Sequence, residues 1–262
     1  MKIKFRKFQA NGNDFVMIVQ EVTEISLSED QIRKVCNRHF GIGADGLMIL
    51  RPSKAYDFEM LYYNSDGKKA AMCGNGGRSI AALAYGLGFA GKQMTFLASD
   101  GVHKAVIEEE LATGSLYDVS LKMVDVENVK KYQNYYFLNT GVPHYVEFVN
   151  GLSDMDVVEK GRKIRFDERF GDEGTNVNFV EIYPDSIKVR TYERGVEDET
   201  LSCGTGVTAS AIATFLETGK QGFLIHARGG DFKVNFEQKD GGFVNIWLRG
   251  PAEYVFEGEM DI

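Results

Sequence analysis

Two glycine-rich bends, each carrying a cysteine, most restrict how this chain can fold: Cys73-Gly74-Asn75-Gly76-Gly77 and Cys203-Gly204-Thr205-Gly206. Each opens into a segment with almost no charge. Residues 79–91 (SIAALAYGLGFAG) and 204–216 (GTGVTASAIATFL) contain no ionisable side chain apart from Tyr85. A helix that is apolar on every side has to be buried on every side. Its first N–H groups lack partners within the helix, so the N-terminus offers donors and positive potential. A cysteine placed there is biased towards thiolate and becomes a candidate nucleophile or base.

The two cysteines lie 130 residues apart, and other landmarks repeat at that offset. Phe40-Gly41 falls on Phe170-Gly171, residues 14–19 on 144–149, and residues 47–50 on 177–180. MTFLASDGVHKAVIEE (94–109) aligns with LIHARGGDFKVNFEQ (224–238), both reading as strand, glycine turn and strand. Several landmarks at one offset without a gap indicate an internal duplication. Each half is predicted to run strand (3–8; 135–139), strand (15–20; 145–150), amphipathic helix (29–38; 154–163), then two strands (46–50 and 58–63; 176–182 and 186–192). Ser28 and Ser153 are the expected helix caps. The apolar helix and a last hairpin complete each unit. Strands around a helix that is apolar all round predict an α+β fold. It consists of two pseudo-symmetric domains, each a rolled antiparallel or mixed β-barrel around a buried central helix. The expected boundaries are 1–118, joined by a C-terminal strand within 252–262, and 119–251.

Composition narrows the class. The chain of 262 residues is 44% hydrophobic with net charge −8, which disfavours nucleic-acid and anionic-membrane partners. No apolar run approaches the roughly 20 residues of a membrane span, and MKIKFRKFQA lacks the apolar core of a signal peptide. Three cysteines suit free thiols in a reducing cytoplasm better than a disulfide scaffold. His39, His103 and His226 show no ligand spacing with the cysteines, so no metal is expected.

Pseudo-twofold halves would set two helix N-termini across one cleft, holding a small anion through backbone N–H groups. Thiols on opposite sides of one carbon are what inversion of a stereocentre requires. One thiolate removes a proton and the other thiol returns one from the far face, while the helix N-termini stabilise charge on the carboxylate. Cysteine suits this role because its ordinary pKa, about 8.5, needs only modest tuning.

MCGNGGRS (72–79) and YERGVEDETLSCGTG (192–206) resemble the two active-site signatures of the diaminopimelate epimerase family. NGNDFVMI (11–18), RHFGIGADGL (38–47), YNSDG (63–67) and PHYV (143–146) match it in order, so the resemblance covers essentially the whole chain. It implies cofactor-independent two-base conversion of LL-diaminopimelate to the meso form, in lysine and cell-wall precursor synthesis, commonly by a homodimer. It further implies Cys73 and Cys203 as base and acid, with His144 and Glu193 tuning the thiols. Gly74-Asn75 and Gly204-Thr205 would cradle the α-carboxylate, while Asn13, Asn64, Asn176, Glu193 and Arg194 match substrate contacts. Two positions depart from the family. Val142 precedes Pro-His where Asn is usual, and Gly46 stands where many members have Gln.

Blander readings apply elsewhere. Cys36, in the middle of a helix, reads as a small buried hydrophobe. Asp14, set opposite His144 by the fixed offset, reads as structural. Asn64 belongs to a tight turn and Glu193-Arg194 to a strand end, yet both precede a cysteine by similar intervals. Rival functions are a proline or hydroxyproline racemase, a thiol redox protein and a non-catalytic binding module. A cysteine phosphatase is a further rival, because Cys73 to Arg78 superficially resembles a phosphate loop. That interval is one residue short, and the phosphatase and the binding module each leave a repeated thiol unexplained.

Overall fold

Alternation of side chains along the strands decides which face each sheet covers. A computed structural model describes residues 2–20 and 25–262. The strands and helices in chain order are β1 (Lys2–Ala10), β2 (Asn13–Val19), α1 (Glu29–Cys36), β3 (Gly46–Arg51), β4 (Phe58–Asn64), α2 (Gly74–Gly86), β5 (Gln93–Ala98), β6 (Gly101–Ala112) and β7 (Leu116–Lys122). There follow β8 (Val129–Lys131), β9 (Tyr136–Asn139), β10 (Pro143–Phe148), α3 (Val157–Arg165), β11 (Asn176–Ile182), β12 (Ser186–Glu193) and β13 (Asp198–Thr200). The last are α4 (Gly204–Thr218), β14 (Leu224–Ala227), β15 (Gly230–Lys239) and β16 (Gly242–Asp261). The chain divides into two compact units, Met1–Leu121 with Gly250–Ile262, and Lys122–Arg249.

In the first unit β1 to β7 pair in sequence order. The part of β16 from Gly250 onward pairs with both β7 and β1, closing an eight-stranded barrel. Val16 and Ile18 of β2 and Leu47 and Ile49 of β3 pack outward on Ile32, Val35 and Cys36 of α1. The alternate residues Phe15, Met17 and Met48 are equally buried and face the other way. There lies α2, whose residues Gly74 through Ala84 are all buried. In the second unit the run is β8-β9-β10-β11-β12-β14-β15 and then β16 up to Arg249. Tyr145, Val177, Phe179 and Tyr192 pack outward with Val157 of α3. On the inner face α4 packs against β9 to β12, β14 and β15. The α+β barrel architecture expected from the sequence is therefore the one observed.

The helix boundaries follow from capping chemistry. At α1, Ser28 accepts the Gln31 N–H and Gln31 reciprocates at the Ser28 N–H, a complete capping box. Ser153, by contrast, does not cap α3. It lies in a short 3₁₀ turn (Leu152–Asp154), and Asp156 caps instead by accepting the Glu159 N–H at 2.8 Å. Nor is α4 wholly apolar. Thr208, Ser210 and Thr214 are fully buried, each hydroxyl donating to the carbonyl four residues back, so no polar group is stranded.

The uniform 130-residue offset needs one correction. It holds for Cys73/Cys203 at the helix starts, but Phe15 opposes Gly46 whereas His144 opposes Asn176. The strand register thus makes Phe15, not Asp14, the counterpart of His144. By the same pairing Gly46, Met48, Tyr62 and Asn64 correspond to Asn176, Asn178, Thr191 and Glu193. A one-residue slip reverses the face of a strand residue, which is why Asp14 and His144 have unlike surroundings.

Candidate active site

The first centre is built on the N-terminus of α2. Cys73 is its N-cap, and its Sγ accepts the Gly76 N–H at 3.2 Å. Tyr62 reaches in from β4 and lies close enough to the same sulfur to feel its charge. Burial and the neighbouring Cys73 charge push the Tyr62 hydroxyl well above the usual phenol range, so it stays protonated. Gly46 is what admits the Tyr62 ring. A Cβ there would lie 2.5 Å from Tyr62 Cε2 and 2.7 Å from the Tyr63 carbonyl oxygen. Gly76 has no room for a Cβ either, because Met48 fills that space.

A polar web ties this helix start to the β1–β2 turn. Arg78 is fully buried and donates to Gly74 O at 3.3 Å, Asn11 Oδ1 at 2.6 Å and Asn75 Oδ1 at 3.0 Å. Burial lowers its guanidinium to about 10, still protonated at neutral pH. Asn75 donates to Asn13 at 3.4 Å, and Asn13 donates to Asp45 at 2.6 Å. Asp45 and Asp14 both take Arg38, and Asp14 also takes Lys7 at 2.8 Å. Burial pushes the Asp14 carboxyl up, but the Arg38 and Lys7 hydrogen bonds outweigh it and hold the group at about 2. Asn64, exposed at the end of β4, accepts the Gly67 N–H in the expected tight turn.

The second centre is built on α4. Cys203 is its N-cap and is buried, with Sγ 3.4 Å from Thr205 Oγ1 and no N–H bond from the helix to the sulfur of the kind Cys73 makes. The Thr205 carbonyl accepts from Thr140 at 2.9 Å. His144 is fully buried on β10, and burial, aided by Arg194, lowers its imidazole to about 3. Its Nδ1 lies 3.1 Å from Asn178 Nδ2. Asn176 donates to Pro143 O at 3.2 Å and accepts the Arg194 N–H at 2.9 Å, so both ends of its amide shape the turn after β12. Arg194 reaches Glu173 at 3.6 Å, and Glu193 is half-buried at the end of β12. Val142 precedes β10, where its carbonyl accepts the Thr140 N–H at 3.2 Å.

Of the residues singled out in the sequence, Asn13, Gly74, Asn75 and Cys73 gather within the first unit. Cys203, Gly204, Thr205, His144, Asn176, Glu193 and Arg194 belong to the second. Sequence reasoning missed Tyr62, Asn178 and the structural weight of Arg78. Arg78 had a signal, being the one strong charge at the head of an apolar helix. Tyr62 and Asn178 had none beyond strand parity. Among the described residues, no cluster of three His, Cys, Asp or Glu side chains is arranged to hold a metal ion.

A family model described as diaminopimelate epimerase matches residues 5–120 and 136–255. The diaminopimelate epimerase of Flavobacterium psychrophilum is 47% identical over 259 residues, covering 97% of this chain and 99% of its own. That of Aquifex aeolicus is 39% identical over 279 residues, covering 98% of each. Among solved structures, a PhzF-family phenazine biosynthesis protein from Bacillus anthracis matches with TM-score 0.76 at 15% identity over 100% of both chains. A hydroxyproline epimerase from Agrobacterium vitis, with trans-4-hydroxy-L-proline bound, matches with TM-score 0.69 at 17% identity over 99% of this chain and 92% of its own. At such identities the solved structures speak for the fold alone. Two curated relatives, alike in sequence from one end of the chain to the other, carry the assignment further: this chain belongs to the diaminopimelate epimerase family.

Proposed function

We propose that the chain is an isomerase that epimerises LL-diaminopimelate to the meso form, with Cys73 and Cys203 as its two acid–base groups. One thiolate takes the proton from Cα, leaving a carbanion delocalised into the carboxylate. The other cysteine gives its S–H proton to the opposite face and becomes the thiolate, so the pair ends in the reverse protonation state. The observation that carries this reading is that each unit sets a free cysteine as N-cap of its buried helix. N–H groups at such a helix start favour a thiolate beside them and a carboxylate above them.

In this reading Gly74-Asn75 and Gly204-Thr205 bind the α-carboxylate, and Asn13, Asn64, Asn176, Glu193 and Arg194 contact the substrate. His144 and Glu193 tune the thiols. The Tyr62 hydroxyl and the Gly76 N–H at the Cys73 sulfur favour its ionised form, which makes Cys73 the natural first base. The family resemblance and the free thiols support a homodimer working without a cofactor in the reducing cytoplasm; sedimentation of the purified chain checks the dimer.

The test is incubation with LL-diaminopimelate in deuterated water. The parent is expected to invert Cα with incorporation of one solvent deuteron, and Cys73→Ser and Cys203→Ser each to lose about a hundredfold or more in turnover. Absence of solvent deuterium at Cα would remove the assignment. Exchange on proline or hydroxyproline alone would move it to the neighbouring racemases.

A further inference from the structure

The two barrels differ at three inner positions that correspond by strand register. Where the first unit has Phe15, Met48 and Tyr62, the second has His144, Asn178 and Thr191. In the first unit Phe15 and Tyr62 pack edge to face, 6.1 Å between centroids, and Met48 fills the space beside Gly76. In the second, Asn178 takes the place of Met48 against the first turn of α4. Its Oδ1 fills the space that a Cβ on Gly206 would need. All three polar residues are buried, His144 and Asn178 completely.

The hydrogen bonds of Asn178 leave one arrangement of protons. Its Nδ2 donates to the Tyr145 carbonyl at 2.9 Å, and a carbonyl can only accept, so this side of the amide is the NH₂. Its Oδ1 accepts the Thr191 hydroxyl at 2.9 Å, which fixes the other side. The second hydrogen of Nδ2 is then directed at His144 Nδ1, 3.1 Å away, so Nδ1 acts as acceptor. A neutral imidazole that accepts at Nδ1 carries its proton on Nε2. His144 Nε2 is buried and has no hydrogen-bond partner. A buried N–H left unmade is costly, about 1–3 kcal/mol, and calls for an explanation.

Building on the epimerase reading, we infer that Asn178 is a positioning residue. It holds His144 as the neutral Nε2–H tautomer, so that this donor meets an anionic acceptor, the Cys203 thiolate or the bound carboxylate, at the start of α4. Thr191 orients Asn178, and Gly206 lacks a side chain so that Asn178 fits. Protonation of His144 would set an Nδ1–H against the Asn178 NH₂ and add a charge near Arg194, whose own charge already disfavours it. The donor is thereby kept neutral across the physiological range, and it cannot neutralise the thiolate by transferring a full charge to the site.

The experiment reads the ring directly. The protein is labelled with ¹⁵N-histidine, and the His144 resonances among its four histidines are identified by their loss in His144→Gln. The parent is expected to show a bare Nδ1 and a protonated Nε2, with no titration from about pH 5 to about pH 8. A proton on Nδ1, or titration in that range, overturns the inference without any variant having to fold. Asn178→Asp is the second arm: a carboxylate accepts from Nδ1–H, so the ring proton moves to Nδ1 and the imidazole becomes easier to charge. Turnover is expected to fall about tenfold or more, with KM little changed and a new inflection in the pH profile. Unchanged turnover once the tautomer has switched equally overturns it. Failure of the parent to exchange Cα of diaminopimelate would remove the substrate assignment and leave the ring measurement standing.

Discussion

At the scale of single residues, the departure at Gly46 acquires a cause. The Tyr62 ring occupies the volume that a side chain at position 46 would need, and its protonated hydroxyl lies near the Cys73 sulfur. Hydrogen bonds to a charged group are worth about 1.5–3 kcal/mol, so Tyr62→Phe is expected to slow alkylation of Cys73 at neutral pH about tenfold. Gly46→Ala, which displaces the ring, should do the same. Peptide mass spectrometry after iodoacetamide checks both, with Cys36 as the internal control. Burial raises the Cys36 thiol to about 11, so it should remain unmodified in the fold. An unaltered Cys73 rate in both variants would show that Tyr62 has no part in preparing the sulfur. The cysteines were legible in the sequence because glycine and missing charge mark a helix start locally. Tyr62 and Asn178 were not, because their importance comes from strand parity and from partners more than ten residues away.

Among the elements, α1 and α3 show how far local chemistry decides a boundary. Ser28 with Gln31 three residues on is a capping box that sequence and structure read alike. Before α3, Ser153, Asp154 and Asp156 compete within four positions, and only Asp156 reaches a helical N–H. Asp156→Ala is therefore expected to cost about 1 kcal/mol and Ser153→Ala much less, as measured by urea unfolding. Equal losses would mean that the cap is shared. The same limit explains Asp14 and His144. A constant offset counts residues, whereas a sheet is built by register, and one slipped residue turned a supposed pair into a half-buried ion-pair hub and a buried ring.

For the molecule as a whole, the expected barrels were legible because an uncharged helix leaves few ways to be covered, and the duplicated pattern named the strands that cover it. Acid response is a property at this scale. The folded chain holds His144 near 3, well below its ordinary 6.5, so the unfolded chain binds a proton that the native one refuses. The associated stability is complete above about pH 6.5 and is lost towards pH 3, by up to about 1.4 kcal/mol per pH unit. Asp14, held at about 2 against 3.8, adds a loss of the same sign only below about pH 4. Urea midpoints followed by the fluorescence of Trp247, the one tryptophan, should therefore fall between pH 6.5 and pH 5. That slope should be flatter in His144→Gln; an identical slope would mean that the buried imidazole is not its source.

The closure of the first barrel carries a consequence for biosynthesis. Lys2 lies opposite Asp261, and the stave between β1 and β7 comes from residues beyond Gly250. During translation, the first half emerges with two bare sheet edges and waits until the entire second unit has left the ribosome. A segment synthesised only after the second unit is thus the one that completes the unit preceding it.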